Sequence, residues 1–344
     1  MIKIAVDAMG GDFAPEEIVL GSVAGAREYG CEVFLVGDES QIREVLKNET
    51  GWEKLPIHIV HASETIDMHD QPGAAVRRKK DASVVVATRL VKEKKCDVVI
   101  AAGHTGAAAA AALFGLGRIT GIERAVIATA LPNVNGKTVL LDSGANVDSK
   151  PKHLVQAAIM GSIYAEYVLG MDRPKVGLLN IGEEPSKGNE QALATFPLLS
   201  GLKTVNFIGN VEGRDITAGT VDVVVCDGFV GNIVLKTAEG LAKSVMHLVK
   251  EAIEQGGFMA KVGGLLILPA LRKLKKKLDY AEYGGAPLLG VDGGFMICHG
   301  SSKAKAIQSA VRAAKEFSEQ RVVEHIRENL IKEGFTNDTR DSSK

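Results

Sequence analysis

The stretch VVIAAGHTGAAAAAALFGLG, residues 98–117, decides the fold, because twenty uncharged residues can form either a membrane span or a buried strand followed by a helix. Most of its residues are alanine and glycine, which are only weakly apolar, and AGHTG interrupts it after a strand-like start. A spanning helix needs about 20 predominantly apolar residues. We therefore predict a buried strand, a turn and a helix.

The same order of elements recurs along the chain. Helical patterns cover stretches such as 15–30, 83–95 and 151–170. The predicted strands between them are IKIAVDAM, EVFLVG, IHIV, DVVIAAG, AVIATAL, TVLLDSG, KVGLLNI, VNFIGN and VDVVVCDG. Continuous apolar strands separated by helices predict a mainly parallel sheet covered on both faces. The expected fold is a three-layer α/β/α, Rossmann-like arrangement, formed as a single α/β domain over 1–334, with an amphipathic protrusion at about 256–280 and a disordered tail at 335–344.

The composition excludes several classes of partner. A net charge of −1 and 5% aromatic residues give no support to nucleic-acid binding. The four cysteines lie far apart without a C-x-x-C pair, which is typical of a reducing cytoplasm and not of a disulfide framework. The amino-terminal sequence MIKIAVDAMGG has no signal-peptide core, so we expect a cytoplasmic location.

Six predicted turns follow strands and combine glycine with Asp, Asn, Ser or Thr. They are 7–12, 102–107, 141–146, 180–190, 227–232 and 298–302. Ligands of such sheets bind beyond the carboxyl ends of the strands, and glycine-rich turns that open helices offer backbone N–H groups to anions. The candidate binding residues in these turns are Asp7, Gly10, Gly11, Asp12, His104, Thr105, Gly106, Asp142, Asn146, Asn189, Asp227, Gly231, His299, Gly300, Ser301 and Ser302.

Several catalytic and cofactor motifs are missing. No turn fits the Walker pattern, and no strand–G-x-G-x-x-G–helix unit is followed by an acid, so the predicted anion is phosphate or a phosphate ester and no cofactor is expected. Cys298 and His299 are adjacent, and neighbouring strand residues point to opposite faces, which makes them a poor nucleophile–base pair. The turn aspartates lack metal-ligand spacing, so no metal site is predicted.

Eight motifs, in order from residue 2 to about 330, resemble the bacterial phosphate acyltransferases of the PlsX family. They are IAVDAMGGD, QPGAAVRRKKDAS, AGHTGA, LDSGANVDSKPKHLVQAAIMG, VGLLNIGEE with KGNE, DGFVGNIVLKTAEG, YGGAPLLG and HGSS. One departure is His104, where the family usually has Asn.

The resemblance implies transfer of a fatty acyl group from acyl-acyl-carrier-protein (acyl-ACP) to inorganic phosphate, giving acyl-phosphate for phospholipid (phosphatidic acid) synthesis. It implies no redox cofactor, metal or nucleotide. It also implies a homodimer and a sheet like those of phosphotransacetylases and isopropylmalate-dehydrogenase-type enzymes.

In the reaction that the resemblance implies, phosphate attacks the thioester directly. Lys187 supplies positive charge to phosphate or to the oxyanion, and Asn232 donates a neutral hydrogen bond to the same centre. Read alone, Lys187 can also be a solvated turn residue and Asn232 a helix cap.

Two further surfaces carry hypotheses. Arg77, Arg78, Lys79 and Lys80 form either a solvated face or a dock for the acidic carrier protein. Segment 258–280 is either a core-facing helix or a basic amphipathic helix on the inner face of the cell membrane. In the second case we expect peripheral attachment and a partner in the downstream membrane glycerol-phosphate acyltransferase. The expected membrane contacts are Leu265, Leu266, Ile267, Leu268, Leu271, Lys273 and Lys276.

Two rival functions stay open from the sequence. One is a phosphotransacetylase-like enzyme that uses a short acyl-CoA and needs no carrier dock. The other is a non-catalytic module that binds acyl carriers or lipid surfaces and releases no thiol.

Overall fold

The computed structural model describes residues 1–278 and 284–336, without the side chains of 275–278. The strands are Lys3–Asp7 (β1), Glu32–Gly37 (β2), Ile57–His61 (β3), Val98–Ala102 (β4), Val126–Ile127 (β5), Thr129–Pro132 (β6), Lys137–Leu141 (β7), Lys175–Leu179 (β8), Asn206–Val211 (β9), Val223–Val225 (β10), Ala286–Leu289 (β11) and Gly294–Cys298 (β12). The helices are Glu16–Tyr29 (α1), Glu39–Leu46 (α2), Pro72–Arg78 (α3), Ser83–Lys92 (α4), Thr105–Gly115 (α5), Pro151–Tyr167 (α6), Glu190–Ser200 (α7), Gly213–Ala218 (α8), Gly228–Gln255 (α9), Gly257–Leu278 (α10), Ala304–Glu319 (α11) and Val322–Lys332 (α12), with one 3₁₀ turn at Trp52–Lys54.

The first sheet has the strand order β3-β2-β1-β4-β12-β11-β5. Its first five strands are parallel, and β11 runs antiparallel to both of its neighbours. Side chains alternate between its faces: Ile4 and Val6 pack with residues of α1 and α11, whereas Ala5 packs with residues of α4 and α5. This alternation, which follows from the two-residue period of a strand, produces the three layers.

The second sheet has the order β6-β7-β10-β8-β9, and only β6 is antiparallel to its neighbour. Val139 and Val223 face the long buried helix α6, and they belong to the same core cluster as Ile4 of the first sheet. Leu140 and Val224 face the other side, where α8 contributes Ile216 to a smaller cluster. The shared cluster across both sheets supports the single domain predicted from the sequence, which stays a prediction.

The predicted mainly parallel α/β fold is confirmed, and its strands are shared between two sheets. The deciding stretch forms β4 and α5, as predicted. AVIATAL, expected as one strand, divides at Ala128 into β5 and β6, which belong to different sheets. β11 and β12 were not among the predicted strands. Within residues 1–278 and 284–336, no helix combines the length and apolarity that crossing a bilayer needs.

Helices α9 and α10 form an exposed hairpin. Only Gly228 and Gly231 of α9 are buried, and a Cβ on Gly264 of α10 would lie 2.3 Å from Ile253 of α9, which shows how closely the helices pack. Pro269 lies inside α10 and does not end the helix. The hairpin turns at Gly256 and Gly257, so residues 265–268, which are among the expected membrane contacts, lie in the middle of α10 and not at the tip of the hairpin.

Phe335 is the first residue of the predicted disordered tail, and in the structure it has defined contacts. Phe335 packs against the core, its backbone N–H donates to the Leu330 carbonyl at 2.9 Å, and Lys152 lies 5.8 Å above its ring. Residues 337–344 of the predicted tail lie outside the described residues, as do 279–283 of the predicted protrusion.

Candidate functional site

Three of the predicted turns meet at one edge of the first sheet. β1, β4 and β12 are adjacent and parallel, so the turns after Asp7, Ala102 and Cys298 lie side by side. The Asp12 N–H donates to the Gly300 carbonyl at 2.8 Å. Gly103 has φ +156°, and a Cβ there would lie 3.1 Å from the Gly11 nitrogen. Glycine is therefore what lets these turns approach each other closely.

The side chains of these turns divide into exposed and buried groups. Asp12, Thr105 and His299 are exposed. Asp7 is 6% exposed and accepts a hydrogen bond from the Met9 N–H at 3.2 Å. Burial raises the pKa of the Asp7 carboxyl to about 6, although hydrogen bonds from Ser83 and from backbone N–H groups oppose the rise. Asp7 is thus a buried residue that hydrogen-bonds the backbone of its turn, whereas Asp12, Thr105 and His299 are accessible to a ligand.

The remaining glycines of these turns serve packing. A Cβ on Gly10 would lie 2.4 Å from the Ala102 carbonyl oxygen, and one on Gly106 would lie 2.9 Å from Pro72. A Cβ on Gly11, which has φ +107°, would lie 3.0 Å from the Gly300 carbonyl oxygen. Contact of these backbones with a substrate stays a prediction.

Two helices open at this edge in different ways. His104 caps α5, because its Nδ1 accepts the Gly106 N–H at 3.2 Å. Ser301 and Ser302 do not cap α11, since that helix begins only at Ala304, whose N–H donates to Glu17 at 2.7 Å. The Ser301 hydroxyl instead lies 2.8 Å from Nδ1 of His299, and Ser302 is buried.

At the edge of the second sheet, Asp142 fills its own anion-binding turn. Its carboxylate accepts the N–H groups of Gly144 at 3.1 Å, Ala145 at 2.9 Å and Asn146 at 2.8 Å. The Asn146 side chain donates to the same carboxylate at 2.8 Å. Burial raises the pKa of Asp142, and these donors lower it. The polar groups of Asp142 and Asn146 thus bond each other and the turn, and the binding of substrate by these two residues stays a prediction.

The turn that opens α9 packs against the Asp142 turn. Asp227 caps the helix by accepting the Val230 N–H at 2.9 Å. A Cβ on Gly231 would lie 1.9 Å from the Asp142 carbonyl oxygen, so only glycine fits there. Asn232 follows, exposed, and its side chain lies 3.6 Å from the Cβ position of Gly144. This close packing brings Asn232 to the mouth of a cleft.

The cleft has a volume of about 1830 Å³ and lies between the hairpin and the carboxyl ends of the strands. Its polar end is lined by residues that follow four strands, namely Thr105, Ser143, Asn232 and His299. The hairpin lines the rest of it with apolar side chains, including Ile233, Leu241, Val245, Leu265, Leu268 and Leu271, together with several charged ones such as Glu239 and Lys243. A polar end and apolar walls suit a ligand with a reactive head and a hydrocarbon chain.

Lys187 lies at the same edge of the second sheet but outside the cleft lining. It is exposed in the turn between β8 and α7, and β8 is the neighbour of β10 in the sheet. Asn189 caps α7 by accepting the Ala192 N–H at 2.9 Å, so its side-chain oxygen is already occupied. The two predicted catalytic residues thus follow neighbouring strands, with Asn232 in the cleft lining and Lys187 outside it.

A cysteine nucleophile has no support from the geometry. Cys298 is buried, and burial raises the pKa of its thiol to about 12, so a thiolate is strongly disfavoured. In the described part of the chain, no three His, Cys, Asp or Glu side chains gather into a group able to hold a metal ion.

Sequence reasoning missed two groups of residues. Thr129 and Ser143 line the cleft with their hydroxyls 2.7 Å apart. Asn180 and Asn210 bond the backbone of the Lys187 turn. Each of these asparagines lies at the carboxyl end of a predicted strand, and that position is the signal that could have identified them.

The basic run contributes three exposed side chains and not four. Lys79 is largely buried and bonds Asp70 at 2.6 Å and the Thr65 carbonyl at 2.8 Å, which removes it from the predicted dock. Arg77 lies 4.6 Å above the Phe114 ring, and Arg78 and Lys80 are exposed.

The predicted membrane residues of α10 lie on two faces. Leu265, Leu268 and Leu271 line the cleft, and their contact with a membrane stays a prediction. Leu266 and Ile267 lie outside the cleft lining, 76% and 49% exposed, and Lys273 is also exposed. The side chain of Lys276 lies outside the described residues.

The fold is that of phosphotransacetylases. A phosphotransacetylase from Streptococcus pyogenes superposes with a TM-score of 0.61 at 18% identity, covering 92% of this chain and 94% of that one. EutD phosphotransacetylase from Staphylococcus aureus gives a TM-score of 0.59 at 14% identity, over 92% of this chain and 94% of that one. At these identities the likeness defines the class of fold alone.

The sequence comparisons identify the family. Residues 2–325 match the family described as Fatty acid synthesis protein. The protein named Phosphate acyltransferase from Pelotomaculum thermopropionicum is 54% identical over 329 residues, which are 96% of this chain and 95% of that protein. The one from Desulfitobacterium hafniense strain Y51 is 55% identical over 331 residues, 96% and 98% of the two chains. The chain belongs to this family, and it is an acyltransferase.

Proposed function

We propose that this acyltransferase moves a fatty acyl group from acyl-ACP to inorganic phosphate and thereby supplies acyl-phosphate for phosphatidic acid synthesis. The names of its relatives support phosphate as the acceptor. The observation that carries the proposal is the apolar cleft that opens beside Asn232, because a long acyl chain needs an apolar volume next to the reacting carbonyl. A short acyl-CoA enzyme would not need walls that extend along α9 and α10.

The proposed reaction is a single displacement. A phosphate oxygen attacks the thioester carbon, the new C–O bond forms, the C–S bond breaks, and the proton of hydrogen phosphate passes to the departing thiolate. Asn232 lies at the polar end of the cleft and can donate its amide N–H to the oxyanion. The Lys187 ammonium, exposed in the turn after the neighbouring strand β8, attracts phosphate and stabilises the negative charge of the transition state in this proposal. This displacement requires neither a covalent enzyme intermediate nor a cofactor.

The direct test is release of thiol from the carrier protein. Incubating the chain with palmitoyl-ACP should release free ACP thiol only when phosphate is present, and the release should survive EDTA because the proposed charge stabilisers are side chains. Hydroxamate trapping should detect acyl-phosphate. Thiol release only with acetyl-CoA would favour the phosphotransacetylase-like rival, and binding without release would favour the non-catalytic module. Loss of activity in EDTA, restored by a divalent ion, would contradict the proposed mechanism.

Chain length tests the role of the cleft. Leu241 lines it nine residues beyond Asn232, about 13 Å along α9. Leu241→Trp should reduce kcat/KM for palmitoyl-ACP by at least about tenfold, as obstruction of an apolar pocket does, and leave a short acyl-ACP largely unaffected. Leu248→Trp is the matched control, because Leu248 is equally exposed on α9 (61% against 63%) but lies outside the cleft lining. Equal losses for both chain lengths would place the acyl chain elsewhere.

The proposal includes three further partners, namely the carrier protein, a second copy of the chain and the membrane. Arg77, Arg78 and Lys80 form an exposed basic patch suited to an acidic carrier protein. The exposed Phe229 and Val230 at the start of α9 favour a homodimer, in which a second copy covers them. The outer face of α10, which carries the exposed Met259, Leu266 and Lys273, favours peripheral attachment of a cytoplasmic protein to the inner face of the membrane. There it would lie beside the downstream glycerol-phosphate acyltransferase.

A further inference from the structure

The turn that carries Lys187 is exposed, yet two side-chain amides hold its backbone. Nδ2 of Asn180 donates to the Lys187 carbonyl at 2.9 Å, and Nδ2 of Asn210 donates to the Glu184 carbonyl at 2.8 Å. The Lys187 N–H also donates to the Glu184 carbonyl, at 3.0 Å. Asn180 directly follows β8 and Asn210 lies in β9, so both donors are fixed to neighbouring strands of the same sheet.

Packing adds to these bonds. A Cβ on Gly188 would lie 2.5 Å from Oδ1 of Asn180, so glycine, here at φ +105°, is what allows the turn to close over that amide. A Cβ on Gly182 would lie 3.1 Å from Cγ of Lys187, so the aliphatic stem of the lysine rests on Gly182. Both the backbone and the first part of the Lys187 side chain are therefore held in place.

Asn210 is the less expected of the two donors. It is 6% exposed, and among the described residues its Oδ1 has no hydrogen-bond partner. A buried amide oxygen without a partner is unfavourable, so the bond that Nδ2 makes to Glu184 is the polar contact that explains an asparagine at this position.

We infer that Asn180 and Asn210 are positioning residues that aim the Lys187 ammonium by holding the carbonyls of Lys187 and Glu184. The inference rests on the proposed function, in which Lys187 acts on phosphate or on the oxyanion. A long, flexible side chain on an untethered turn would spread its charge over many positions. A displacement of about 1 Å at a reacting centre can lower the rate a hundredfold, so a fixed turn has kinetic value.

The test compares Asn180→Ala and Asn210→Ala with Asn206→Ala. Asn206 is a matched control, because its Nδ2 donates to the Arg173 carbonyl at 3.1 Å from the opposite end of β9. Loss of either positioning residue should lower kcat by roughly ten- to a hundredfold, with KM for acyl-ACP unchanged. The control should keep kcat close to that of the unmodified chain. Unchanged kcat in both positioning variants would overturn the inference.

A double-mutant cycle separates positioning from general damage. In the Lys187→Ala background, adding Asn180→Ala should lower the residual rate no further, because the aimed ammonium is already absent. A further loss by the same factor as in the unmodified chain would show that Asn180 acts independently of Lys187, and the inference would fall. If Lys187→Ala itself leaves kcat unchanged, the catalytic assignment of Lys187 fails instead.

Hydrogen exchange tests the tether without any turnover. Asn210→Ala should accelerate exchange of the Lys187 N–H, whose acceptor Glu184 has lost its anchor, by about tenfold or more. Exchange of the Ala192 N–H, which the Asn189 cap holds, should stay as it is. Unchanged exchange at Lys187 would mean that Asn210 does not hold the turn, whatever reaction the protein catalyses.

Discussion

Lys187→Ala is expected to lower kcat for phosphate-dependent thiol release by roughly a hundredfold or more, the size of effect seen when an oxyanion donor is removed. The Lys187 side chain is exposed at the strand-end edge of the second sheet, and the contacts that hold the turn involve its backbone and the base of its side chain. Truncation therefore removes a charge without removing core packing, and the thermal unfolding midpoint should change little. The measurement is kcat at saturating phosphate together with a melting curve.

Two controls make the result specific. Lys203→Ala removes an exposed turn lysine at the other end of α7 and should leave kcat unchanged. Cys298→Ala removes a buried thiol, and burial raises the pKa of that thiol to about 12. This substitution should lower kcat far less than Lys187→Ala does. An acyl group trapped on Cys298, with turnover lost in Cys298→Ala, would contradict direct attack by phosphate.

The fold was predictable where the hydrophobic pattern is local. The run 98–102 and the alanine-rich helix after it are readable because a buried parallel strand needs a continuous apolar run and glycine ends it. AVIATAL looked like one strand because nothing within it breaks the pattern. Its division between two sheets depends on distant partners, β11 on one side and β7 on the other. β12 was missed because Gly294 and the glycines before it obscure a five-residue strand.

The site was predictable as a set of turns but not as a geometry. Parallel strands oblige the turns after β1, β4 and β12 to meet, whatever their side chains. The sequence does not reveal that Asp142 satisfies the donors of its own turn, since an Asp beside glycine reads equally as ligand or as cap. The cleft is formed by the hairpin lying over the strand ends, a long-range arrangement that no local pattern encodes.

Met259→Glu combined with Leu266→Glu is expected to abolish binding to anionic vesicles. The two residues are seven apart on α10, hence on one face, and are 78% and 76% exposed outside the cleft lining. Lys273, seven residues further along, is also exposed, and a basic group near an anionic surface contributes about 1 kcal/mol. The unmodified chain should therefore float with anionic vesicles in preference to neutral ones. Salt should weaken this attachment, because charges are screened over about 8 Å at physiological ionic strength.

Leu193→Glu with Leu198→Glu is the matched control for the vesicle experiment. These leucines lie on α7, away from the hairpin, and are 43% and 49% exposed, so the pair adds the same charge to partly exposed apolar positions. It should float like the unmodified chain. The α10 variant should keep turnover of palmitoyl-ACP in solution, because its two positions lie outside the cleft lining. If that variant still floats with anionic vesicles, the outer face of α10 is not the membrane contact. If the variant instead no longer forms a dimer, the same face is a subunit interface. An unpaired charge is costly to bury in a protein interface, as it is in lipid.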